Sequence, residues 1–172
     1  MAIEVSFGIA SIEKGDIDAV TGLPSNLQDA GDVYRDSVSM ETPDHTTTDH
    51  FPERGNHPLV RINRKALTVF KFTLMDTQAA TLVQYLGGEV TEVAAGNDIW
   101  EEPLTTPKIE NSFVLTTDDG KVFTIHRGDV VAKLVPNPTK TGVHLLEVMV
   151  TVMKPKVAGV SPFVSKNAIA TA

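Results

Sequence analysis

Three histidines, His45, His50 and His57, fall in the segment 41–58, which reads ETPDHTTTDHFPERGNHP. Asp44-His45 and Asp49-His50 repeat an Asp-His dipeptide, and Glu53 lies between His50 and His57. Imidazole and carboxylate both ligate metal ions, and a pliable loop can wrap one, so His45, His50 and His57 are candidate ligands. The pattern is not HExxH, and no helical period presents two of the histidines on one face. Prolines at 43, 52 and 58 favour an extended polar arm instead. On that reading Phe51, the only large apolar residue of the segment, is the anchor for a neighbouring surface, with Arg54 beside it.

Elsewhere, residue types with chemical potential lack partners at useful spacing. His126 and His144 fall in strand-like stretches, where a histidine more often faces solvent or an interface than acts as a base. GxSxG, GxxxxGK[ST] and GxGxxG after a strand are absent. Asp118-Asp119 and Glu101-Glu102 are adjacent acids in turns, and nothing sets them across a substrate from each other. Trp100, the single tryptophan, reads as an anchor against a neighbour rather than a sugar platform. With no cysteine, thiol catalysis and Cys-type zinc sites are excluded. The expectation is a protein that is not an enzyme and takes no cofactor.

The elements that position these residues are mostly strands. In 172 residues, 41% hydrophobic and 22% charged, there is material for one folded domain. Ala66, Thr68, Phe70, Phe72 and Leu74 share one parity, as do Leu146, Val148, Val150 and Val152. Between them, 108–117, 121–127 and 129–135 read as a meander, with turns at Asp118-Asp119-Gly120 and Arg127-Gly128-Asp129. One helix is predicted over 76–86: Asp76 is its N-cap, Ala79, Leu82, Val83 and Leu86 form one face, and Gly87-Gly88 ends it. The segments 41–58 and 94–107 read as polar loops, the first of them long and structureless. The expected fold is mainly β, a two-sheet β-sandwich or barrel of seven to nine strands with one flanking helix. A single domain spans 1–154, and 155–172 forms a C-terminal arm or tail.

The net charge of −7 argues against tight nucleic-acid binding, which needs clustered Lys and Arg. The first residues carry no basic segment followed by an apolar one, and no apolar run approaches a membrane span.

The order of these elements resembles that of the major tail tube proteins of bacteriophages. A long polar segment leads into an alternating strand, a helix ended by Gly87-Gly88, an acidic loop holding Trp100, and a meander closing in a long strand. The arrangement is similar also to tube proteins of contractile injection and type VI secretion systems. The resemblance implies hexameric rings stacked into a tube, in contact with other tail or neck proteins. DNA would pass a lumen whose acidic bias repels phosphates. It further implies a virion protein assembled in the host bacterial cytoplasm, with the long loop reaching a neighbouring subunit. Two rivals remain from the residues: a head decoration or head–tail joining protein, and a soluble metal- or ligand-binding β-sandwich.

Overall fold

Phe70, Phe72 and Leu74 are buried on one face of their strand, and Leu146, Val148, Val150 and Val152 on one face of theirs, as the alternation predicts. The computed structural model describes residues 8–93 and 96–167. Residues 1–7 of the expected domain, 94–95 of the second polar loop and 168–172 of the tail lie outside the described residues. Among those described, the fold is mainly β with one helix. The strands are β1 (Ser11–Ile17), β2 (Pro24–Asp29), β3 (Ser39–Glu41), β4 (Thr46–His50), β5 (Val60–Arg64) and β6 (Val69–Leu74). After helix α1 (Ala79–Leu86) come β7 (Glu89–Glu92), β8 (Asp98–Glu101), β9 (Ile109–Thr116), β10 (Val122–Val135), β11 (Leu145–Val152) and β12 (Phe163–Lys166).

The main sheet runs β2-β1-β9-β10-β11-β6-β3, antiparallel throughout, with β12 added to the first half of β10. It curls onto itself. Strands β9 and β6 are separated in that order by β10 and β11, yet the Phe113 ring lies 6.3 Å from Phe70 and 6.1 Å from Phe72, edge to face across the interior. The segment after β2 closes the wall by leaving one edge and joining the other. Ala30 N–H donates to the Ile12 carbonyl at 2.9 Å, and shortly afterwards Tyr34 N–H donates to Thr73 at 2.8 Å. The result is a flattened barrel whose two layers share one core.

Strand β10 corrects the expected meander. Arg127-Gly128-Asp129 is no turn but lies inside one continuous strand of 14 residues. Ile125 faces Phe113 while Gly128 faces Asn111, so β10 spends one residue more than β9 and forms a bulge. The inward parity shifts there, from Phe123 and Ile125 to Gly128 and Val130. Glycine is needed at 128 for close approach: a Cβ would stand 2.3 Å from Val150 Cγ1. His126, expected to face solvent or an interface, is buried at this bulge, with Nδ1 hydrogen-bonded to the Ser161 carbonyl. Asp118-Asp119-Gly120 does turn the chain, with Gly120 at φ 86°.

The helix caps one end of the barrel through Leu82 and Tyr85, both buried. Tyr85 packs edge-on to Phe72 at 6.3 Å, and its hydroxyl donates to the Ala30 carbonyl at 2.9 Å. The predicted start at 76 is three residues early. Gln78, extended at ψ 151°, holds the N-cap position. Asp76 braces the turn before it, accepting from Gln78 N–H at 2.9 Å and the Thr81 hydroxyl at 2.6 Å. Gly87 ends the helix at φ 76°, its N–H donating to Val83. No helix of the described residues is long and apolar enough to cross a membrane.

Among the described residues twelve strands replace the expected seven to nine, because each expected polar loop contributes one strand of a hairpin that is completed just outside it and the tail contributes a strand. The segment after Pro155, read as an arm or tail, returns to pair Phe163 with Ile125 and Lys166 with Val122 of the same chain.

Candidate functional site

The segment 41–58, expected to be structureless, holds β4 and leads into β5. Thr46, Thr47 and Thr48 are β-branched, as are Val60 and Ile62, and branched residues suit a pleated ribbon. The two strands pair antiparallel from Thr46 opposite Arg64 to His50 opposite Val60, and Leu59 N–H donates to the His50 carbonyl at 2.8 Å. Neither pairs with the main sheet; they form a separate two-stranded ribbon, an arm that projects from the barrel.

Register gives the arm two unlike faces. On one, Arg61 grips Asp49 with two hydrogen bonds of 2.7 and 2.9 Å, and Thr47 donates to Asn63 at 3.0 Å. The Arg61 guanidinium holds the Asp49 carboxyl below its usual range, and Asp49 raises Arg61 in turn. These polar groups satisfy one another. The other face carries Thr48, His50, Val60 and Ile62, with Val60 and Ile62 50% and 43% exposed. Phe51 stands at the tip, 58% exposed, with Leu59 at 78%. Arg54 is exposed in the same connection. A two-stranded ribbon is too thin to cover such apolar area, which stays exposed on the arm.

The histidines are dispersed along the arm. His45 precedes β4, His50 ends it and His57 lies in the connection, and no group of three His, Cys, Asp or Glu able to hold an ion forms among the described residues. Trp100 is used internally. It sits half-buried in β8, and its Nε1–H donates to the Gly87 carbonyl at 2.8 Å, clasping the β7–β8 hairpin to the end of the helix. That hairpin occupies part of the expected loop 94–107. His144 is not in a strand but accepts from Asn137 N–H at 3.1 Å in the loop before β11.

Sequence reasoning missed three features. Val60 and Ile62 lie just past the boundary at 58, although two β-branched runs flanking a Pro/Gly-rich tip were a hairpin signal. Glu110 gathers Arg127 at 2.7 Å, Lys108 at 2.9 Å and Lys156 at 3.1 Å, a cluster spread over three elements of sequence. Their hydrogen bonds, Arg127 first, hold the Glu110 carboxyl far below the usual carboxylate range. Lys14 points beneath the helix: its ammonium donates to the Gln84 carbonyl at 3.2 Å and lies 4.2 Å from the Tyr85 ring centre. Burial pushes Lys14 down to about 8, with nearby Asp16 opposing, and pushes the Tyr85 hydroxyl up. Both clusters are internally satisfied and hold the structure together.

No protein-family model matches the chain, and no curated protein matches it in sequence.

Proposed function

We propose that the chain is the subunit of a self-assembled tube of the bacteriophage tail-tube kind, forming hexameric rings stacked around a DNA-conducting lumen. The β4–β5 arm carries this reading. It is a ribbon with one self-satisfied polar face and one uncovered apolar face, paired with no strand of the main sheet and contributing no residue to its core. A ribbon of this kind stabilises nothing in its own subunit, so its apolar residues are accounted for by a second subunit. The mainly β barrel with one capping helix fits the architecture that the resemblance implies, and the acidic balance suits a wall past which DNA slides.

The test is to replace residues 46–64 with a short Gly-Ser linker. The thermal midpoint of the isolated subunit should move by no more than about 2 °C, because nothing in the core is disturbed. Negative-stain microscopy of the intact protein at high concentration should show rings or tubes, and the shortened protein should form none. Tubes that persist without the arm, or an intact protein that never forms rings, would count against the proposal.

A further inference from the structure

The charges of this chain are unevenly distributed along the sequence. Residues 54–71 contain Arg54, Arg61, Arg64, Lys65 and Lys71 and no acid. Residues 72–107 contain Asp76, Glu89, Glu92, Asp98, Glu101 and Glu102 and no Lys, Arg or His, so six of the seven net negative charges arise there. The first run builds β5 and the base of the arm. The second builds the β7–β8 hairpin.

That second hairpin holds its charges in unfavourable pairs. Glu89 stands directly opposite Glu101, and Glu92 opposite Asp98. Like charges across an antiparallel pair repel, and none of the four takes part in an ion pair among the described residues. One face, with Val90 and Trp100, is the face from which Trp100 reaches Gly87. The other presents Glu89, Glu101, Thr91 and Ile99, with Ile99 50% exposed. The apolar face of the arm carries Val60, Ile62 and Arg64.

The two unpartnered faces match. On β5, Arg64 lies two residues from Ile62; on β8, Glu101 lies two residues from Ile99, at the same strand spacing of about 7 Å. Laid together, Ile62 covers Ile99 while the Arg64 guanidinium enters between Glu89 and Glu101 and relieves their repulsion. We infer that the β7–β8 hairpin is the receptor for the β4–β5 arm of a second copy of this chain. The contact is heterologous, since donor and acceptor surfaces differ, and such contacts propagate into rings or open stacks. This deepens the tube reading and rests on its self-association, by naming both sides of the contact.

The chain has no cysteine, which allows a clean trap. Ile62→Cys and Ile99→Cys proteins, mixed and mildly oxidised, should yield the mixed disulfide in several-fold excess over either like-with-like product. Charge reversal supplies an independent readout. Arg64→Glu should weaken association by about tenfold at low salt, as should Glu89→Lys with Glu101→Lys. Combining all three should restore it. All these side chains are exposed, so folding is retained and is checked by circular dichroism. Disulfides in the random proportion, or a combined variant as weak as its parents, would overturn the contact. A mixed disulfide in a protein that never forms tubes keeps the contact and removes the tube reading. Undiminished tubes from the Arg64→Glu protein remove the contact and keep the tube.

Discussion

The barrel and the arm draw on the same residue types to opposite ends. In the barrel, Phe70, Phe72, Phe113 and Ile125 are fully enclosed. In the arm, Phe51, Leu59, Val60 and Ile62 remain in solvent while Asp49 and Arg61 pair with each other. A surface ion pair contributes little, and uncovered aliphatic groups contribute nothing to the fold. Folding energy is therefore concentrated in the barrel, and the arm is free to serve association.

That contrast can be broken most directly at the helix. Leu82→Asp places a charge where Leu82 is 6% exposed, costs several kcal/mol, and should leave no soluble folded protein. Gln84→Asp on the exposed side of the same helix should shift the thermal midpoint by only a degree or two. Equal tolerance of both would place the helix outside the folding core.

A smaller effect is expected at the Glu110 cluster. The Glu110 carboxyl is depressed in the folded state, so its contribution is present above the ordinary value of 4.5 and is lost as pH falls below it. Glu110→Gln removes the carboxylate that Arg127 pairs with, leaving it the Lys154 carbonyl, and should cost about 1–2 kcal/mol at neutral pH in urea titrations, with a flatter acid limb. An unchanged acid limb would assign acid sensitivity to other carboxylates.

The smallest effect concerns Lys14. Its unfolded value is 10.5 and its folded value about 8, so between these the unfolded chain binds more protons and stability rises with pH. Tyr85, raised by burial above its ordinary 10.0, reverses the trend at higher pH, which leaves 8 to 10 as the window. The rise should be about 1 kcal/mol after discounting the solvent-exposed part of Lys14, and Lys14→Met should remove it. A slope that survives the substitution would locate the titration elsewhere.

Periodicity made the core strands legible, because burial on one face imposes parity on β6 and β11 whatever else the chain does. It also set the helix and its glycine stop, although not Tyr85, which is outside the expected apolar face of Ala79, Leu82, Val83 and Leu86 and is buried with its hydroxyl on the Ala30 carbonyl. The bulge in β10 was misread as a turn because Gly128 marks a turn and a close approach with the same residue. The arm was expected, but its hairpin was hidden by composition: threonine and charge at 46–50 read as loop, and the pairing strand at 60–64 lies across a Pro- and Gly-bearing tip. The polar clusters were illegible for a simpler reason. Lys108, Glu110, Arg127 and Lys156 meet only after β9, β10 and the segment before β12 are brought side by side.

The way the arm is attached has a mechanical consequence. It leaves the barrel between β3 and β6, which are themselves hydrogen-bonded neighbours, and β6 is paired along its length with β11 from Thr151 opposite Val69 to Leu146 opposite Leu74. A pull on the arm therefore draws β6 along its own axis. The ladder to β11 is loaded in shear, with its hydrogen bonds strained together rather than peeled one at a time. The β3 root is pulled in the same direction as β6, so the strand pair nearest the load is not forced apart. Tension between linked subunits would thus be carried into the best-packed part of the barrel, where Phe70 and Phe72 lock β6 against the opposite wall.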